Sequence, residues 1–234
     1  SSGGTFSSAV TFGSGVVVAN GGNIGSASDT DAMSISSGGV VNFTQSPTGT
    51  ALVKLLEDDI STTGGTYVVN NTYINSTYDN YLIQYEVQTS TEDDRQMQVK
   101  FYLTTNASGD AGSIISGNHH SYGNTMTGSD SSTSTNRSQN NTSSYAVIGF
   151  TEIGNASGEG MAFSGVLQNV NSTNNVVTFN GNGSSVYTNG AHQGFSFHTG
   201  MATPATYGAY YCRGMLFQLS GGQHTGKFRL YGFN

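Results

Sequence analysis

The segments YLIQYEVQ (81–88) and QMQVKFYL (96–103) decide the fold class. In the first, Tyr81, Ile83, Tyr85 and Val87 alternate with Leu82, Gln84, Glu86 and Gln88. In the second, Met97, Val99, Phe101 and Leu103 alternate with Gln96, Gln98, Lys100 and Tyr102. Successive side chains of a strand point to opposite faces, so each segment reads as a strand with one apolar and one mainly polar face. STEDDR (90–95) lies between them as a charged tip, and the two strands are expected to form a hairpin.

Strand signals continue downstream at YAVIGF (145–150), GMAFSGVL (160–167), NVVTFN (175–180), SSVYT (184–188), QGFSFH (193–198), YGAYYCRGMLFQL (207–219) and GKFRLYGF (226–233). TYVVNNTY (66–73) precedes the pair. Asn180-Gly181, Asn182-Gly183 and Asn189-Gly190 read as tight turns. This spacing predicts an all-β domain, a β-sandwich or jelly-roll-like head, over residues 61–234. In the last strand Phe228 and Leu230 are expected to face the core. Lys227 and Arg229 are expected to face water or a neighbouring subunit's carboxylates.

Residues 1–48 differ. They are rich in Gly and Ser, contain no Tyr, Lys, Arg or Glu, and break into very short strand-like pieces. Such a segment buries too little surface to fold alone. It is expected to be a β shaft or oligomerisation segment in which several chains wind together. Residues 49–60 read as a connector. Leu52, Leu55 and Leu56 have helical spacing, but the segment is short, and a strand leading into the head is favoured.

Composition narrows the function. Only 9% of residues are charged and the net charge is −7, which disfavours nucleic acid and anionic membranes as partners. No apolar run reaches the length of a membrane-spanning helix, so no membrane insertion is expected. Leu, Ile, Val and Phe together stand near the ~20% level below which disorder is suspected. The 13 Tyr and 12 Phe oppose disorder and predict a thin, aromatic core of the kind another subunit completes. Cys212 is the sole cysteine, within a strand-like YYCRGMLF, and reads as a small buried hydrophobe. The chain shows no signal peptide and opens on Ser1 without an initiator Met, which fits an excised part of something longer.

Residues 104–143 form a long polar stretch, read as a loop that is either functional or disordered and is interrupted by a short strand near SIISG. It carries His119, His120, Tyr122, Asn124 and Arg137; Tyr187, His192 and Tyr207 lie in later loops. Aromatic rings beside amides suit sugar recognition by stacking and directional hydrogen bonds, so these eight are the receptor-binding candidates. Adjacent histidines of a strand point opposite ways, and no acidic run follows a calcium-loop pattern, so no metal or other cofactor is expected. Glu86, Glu152 and Glu159 are not marked as a catalytic pair, and no hydrolase, metalloprotease or phosphate-loop motif occurs. An enzyme is not expected.

Three features resemble a known group: the opening GGTFSSAVTFGSGV…GSASDTDAMSISSGGVVNFTQSP, the block TYVVNNTYINSTYDNYLIQYEV and the terminus SGGQHTGKFRLYGFN. They are similar to the C-terminal parts of tail-fibre and related virion appendage proteins of marine bacteriophages, notably cyanophages. A G-x-F-x-L-Y-G strand is met by Gly226, Phe228, Leu230, Tyr231 and Gly232, and a Y-D-x-Y-L-I element by Tyr78, Asp79, Tyr81, Leu82 and Ile83. The resemblance implies a homotrimer on the virion surface. Its N-terminal side would join other virion proteins, and its head would contact a glycan of the host envelope. It transfers no binding residue.

Overall fold

The structure, a computed structural model, describes residues 17–19, 21–26, 29–43, 52–62, 65–105, 113–114, 119–127, 134–149, 152–172, 174–187, 191–201 and 210–234. The chain divides into two compact units, Ser1–Gly49 and Thr50–Asn234.

In the first unit, β1 (Asn23–Ser26), β2 (Asp29–Ile35) and β3 (Val41–Phe43) form an antiparallel three-stranded sheet in that order. Ile24 stands opposite Met33, Met33 opposite Phe43, and Ile35 opposite Val41. Strand alternation therefore gathers these five apolar residues on one face, and Ile24, Val41 and Phe43 are exposed.

The second unit opens with β4 (Val53–Ser61), β5 (Thr66–Val69), β6 (Asn80–Ser90), β7 (Met97–Thr104) and β8 (Ser113–Ile114). Then come β9 (His119–Thr127), β10 (Ser134–Ser143), β11 (Ala146–Val147) and β12 (Gly160–Gln168). The last four are β13 (Thr178–Tyr187), β14 (Ala191–Met201), β15 (Tyr211–Leu219) and β16 (His224–Phe233). An eight-stranded sheet has the order β10-β9-β14-β13-β12-β6-β16-β4. A five-stranded sheet has the order β11-β7-β15-β5, with β8 on β7. The two sheets meet through aromatic rings. Tyr85 of β6 lies 5.1 Å from Phe217 of β15, and Phe228 of β16 lies 5.1 Å from Tyr67 of β5. The unit is an all-β sandwich with an aromatic core, as the alternating segments predict.

Three expectations are corrected. The segments 81–88 and 96–103 do turn their apolar faces to one core, but they do not pair. The first lies in β6, bonded to β12 and β16; the second lies in β7, bonded to β11, β15 and β8. The charged link therefore crosses from sheet to sheet. Alternation reports which face is buried, and that is the same for a hairpin and for two strands facing each other across a core. A six-residue link without glycine suits the crossing better than a two-residue hairpin turn.

Next, 104–143 is not one long loop: it contains β8, β9 and β10. The strand expected near SIISG is β8. Its neighbours were hidden by composition, because β9 and β10 carry Asn, Ser, Thr and Gly where strands usually carry β-branched and aromatic residues. Sheet pairing overrides that weak preference.

Third, Asn180-Gly181 and Asn182-Gly183 make no turn; both lie inside β13. Gly181 and Gly183 face the core, where a Cβ on Gly183 would meet the Phe195 ring at 2.6 Å and one on Gly181 the Phe197 ring at 2.8 Å. These glycines let rings lie directly on the backbone. Asn189-Gly190 falls outside the described residues.

The segment 49–60 holds the strand favoured for it: β4 is an edge strand paired along β16 within the second unit. In β16 the faces are as expected: Phe228 and Leu230 are fully buried. Lys227 and Arg229 point outward, but to carboxylates of the same chain, Asp59 at 3.2 Å and Glu86 at 2.8 Å. Cys212 is buried in β15, and burial pushes its thiol up to about 12, so it stays protonated.

Candidate functional site

The outer face of the eight-stranded sheet carries residues in rows that cross the strands. One row runs Asn124 (β9), Ser196 (β14), Asn182 (β13), Ser164 (β12), Gln84 (β6), Arg229 (β16) and Glu57 (β4), each opposite the next. Every member is polar. Two residues along each strand, a second row runs Met126, Gly194, Ser184, Ala162, Glu86, Lys227 and Asp59. On the other side of the polar row stand Tyr122, His198, Asn180, Val166, Leu82, Tyr231 and Lys54.

Side-chain size shapes this face. On β12, β13 and β14 the outward residues of the first two rows are Ala, Ser, Asn and Gly. They are flanked by Asn124 and Met126 on β9 and by Gln84, Glu86 and Arg229 on β6 and β16. The result is a trough of about 890 Å³ lined by these groups. Its floor sets the hydroxyls and amides of Ser164, Asn182, Ser184, Ser196 and Gln84 beside apolar surface from Ala162, Gly183, Gly194 and Phe195. Among the described residues, Ser164, Asn182 and Gln84 make no side-chain hydrogen bond, so their donors and acceptors face the trough.

One end of the trough is an ion-pair lattice. The Arg229 guanidinium bonds Glu86 at 2.8 Å and Glu57 at 3.3 Å, and Lys54 bonds Glu57 at 3.0 Å. Hydrogen bonds from Lys54 and Arg229 hold the Glu57 carboxyl below its ordinary range. Bonding to Glu86, then to Glu57, holds the Arg229 guanidinium still more firmly cationic.

The predicted site residues divide clearly. His119 is fully buried and stacks on Phe101 with ring centroids 5.9 Å apart, whereas His120, on the alternate register, is only partly buried. The two histidines do not converge, and His119 is corrected to a core residue. His120, Tyr122 and Asn124 share the outer face of β9, with Asn124 lining the trough. Tyr122 is half exposed, its ring 6.4 Å from that of His198. His192 is exposed on β14, on the same face. These residues were expected in loops, and the structure places them in strands. Arg137 and Tyr187 lie on the backbones of β10 and β13, with side chains outside the described set; Tyr207 is outside the described residues altogether.

Most of the floor was missed: Ser164, Asn182, Ser184, Ser196 and Gln84. The available signal was the recurrence of small outward-facing residues on segments 160–167 and 193–198, opposite an apolar inward set. Among the described residues no group of three or more His, Cys, Asp or Glu side chains could hold a metal ion, and no helix is long and apolar enough to cross a membrane.

Fold and site together define a β-sandwich with an open trough across its larger sheet, crossed by one row of polar side chains. No family model matches the chain, and no match is found among curated proteins or solved structures.

Proposed function

We propose that the chain is a phage virion fibre protein whose larger unit adsorbs, without catalysis, to a glycan on the host surface. The observation that carries this reading is the row of amide and hydroxyl side chains lining the trough. Amides and hydroxyls offer both donors and acceptors, which is what a sugar hydroxyl requires. A half-exposed tyrosine at the β9 side adds a ring face on which a pyranose stacks.

The same reading makes the protein a homotrimer on the virion surface, joined to other virion proteins through its N-terminal side. The apolar face of the three-stranded sheet supports the self-association, because it exposes Ile24, Val41 and Phe43 in a single chain. Several weak sugar sites on one particle then act together.

The test is adsorption of the labelled chain to marine cyanobacterial cells and to polysaccharide purified from their envelopes. Saturable binding that purified polysaccharide competes away is the expected result. Tight docking to a virion protein with no binding to cells or polysaccharide leaves a purely structural role instead. Turnover of the polysaccharide overturns the non-catalytic part.

A further inference from the structure

Building on the adsorption reading, we propose that the trough selects a neutral, extended glycan laid across the strands, and discriminates against carboxylated or sulfated chains. Direction comes first. Ser196, Asn182, Ser164 and Gln84 sit in one row on successive strands, so polar groups recur about every 4.8 Å perpendicular to the strands. An extended glycan repeats its hydroxyls along its own axis in the same manner. From β9 to β16 the row crosses five interstrand steps, about 24 Å, room for several rings end to end.

Charge decides the class. Among the described residues, the charged groups lining the trough are Glu86 and Arg229, bonded to each other at 2.8 Å. Arg229 is further held by Glu57, and Lys227 beside it by Asp59. An anionic ligand wants a cation free to form charge-assisted bonds. Here it would have to displace carboxylates already in place, and it would meet those carboxylates as like charges. A neutral chain faces neither cost, and the floor serves hydroxyls that donate as well as accept.

The experiment uses the full chain. Envelope polysaccharide of a cyanobacterium to which it adsorbs is separated by anion exchange into neutral and acidic pools, and each pool is tested as a competitor. Neutral gluco-, manno- and xylo-oligosaccharide ladders, with alginate and sulfated galactan, are titrated calorimetrically beside them. The neutral pool should compete and the acidic pool should not. Affinity for a bound ladder should rise with length up to about five rings, one per interstrand step, and should not fall when salt is raised. Asn182→Trp fills the trough from an exposed strand position where aromatic residues are favoured, so it should weaken neutral-pool binding about tenfold or more with an unchanged melting temperature. Competition by the acidic pool alone overturns the selectivity while the adsorption reading stands. Neutral binding untouched by Asn182→Trp overturns the trough as its site. No binding to cells or to either pool removes both.

Discussion

Tyr85 and His224 share a 2.6 Å hydrogen bond between the phenol oxygen and Nε2 inside the sandwich. On the other side of the imidazole, Nδ1 lies 3.3 Å from the Thr62 hydroxyl, which also accepts from the His224 backbone N–H at 2.9 Å. Burial lowers the His224 pKa to about 4, against an ordinary 6.5. Between those values the unfolded chain binds a proton that the folded chain does not. Stability from this group is therefore complete above about pH 6.5, falls as pH drops toward 4, and stops falling below that, a loss of about 3 kcal/mol. Glu57, whose pKa is lowered from 4.5, adds its acid sensitivity from about pH 4.5 downward, at the acid end of this window. Melting temperatures should hold from about pH 7.5 to about 6.5 and then decline toward about pH 4.5, and His224→Gln should flatten the upper part of that decline. An identical slope in the variant would remove His224 from the account.

Glycines on the two faces of the large sheet should respond oppositely. A Cβ on Gly181 collides with the Ser164 carbonyl oxygen and approaches the Phe197 ring, so Gly181→Ala should destabilise by about 1–3 kcal/mol. Gly194 faces outward with nothing within 4 Å of an added Cβ, so Gly194→Ala should stabilise by about 0.5–1 kcal/mol. Urea unfolding midpoints distinguish the two. Equal shifts would mean that ring-on-backbone packing does not explain the glycines of β13.

The face that each strand buries was legible, and its partner was not. Tyr81, Ile83, Tyr85 and Val87 are buried as alternation requires, and so are Met97, Val99, Phe101 and Leu103. Period two carries no information about which strand lies alongside, so a sheet-to-sheet crossing read as a hairpin. The candidate site shows the same divide. Tyr122 and Asn124 were found by residue type, because aromatic and amide chemistry is visible in isolation. Ser164, Asn182 and Gln84 become a site only through register, when strands far apart in the chain bring them into one row. Asn182-Gly183 looked like a turn because local preference favours one, whereas the glycine is set by a ring contributed from β14.

Deleting the chain from His224 onward should abolish folding of the larger unit. β16 lies between β4 and β6, so its loss leaves β4 with no described partner. It also removes the fully buried Phe228 and Leu230 and uncovers the Tyr85 and Tyr67 rings packed on Phe228. The truncated chain should show no cooperative thermal transition and no near-ultraviolet circular dichroism. Removing Asn234 alone is the control: it loses one hydrogen bond, from the Asp79 backbone N–H at 3.0 Å, and should cost no more than about 0.5–1.5 kcal/mol. A cooperative transition in the long truncation would show that the remaining strands close a core without β16.

The three-stranded sheet of the first unit tests the proposed trimer. Met33 stands opposite Phe43, and Ile35 opposite Val41, so Phe43 and Val41 belong to one apolar face that is open in a single chain. Charge placed there opposes burial against another copy, whereas in a monomer an exposed position tolerates it. Light scattering on the full chain should give a trimeric mass, and Phe43→Asp combined with Val41→Asp should lower it without changing the melting temperature of the larger unit. If weak sites act together in the trimer, adsorption to a glycan-coated surface should fall by about 10²-fold or more in the variant, while affinity for a soluble oligosaccharide stays the same. A monomeric mass for the unaltered chain would end the trimer. An unchanged mass in the variant would place the contact between copies elsewhere than on this face.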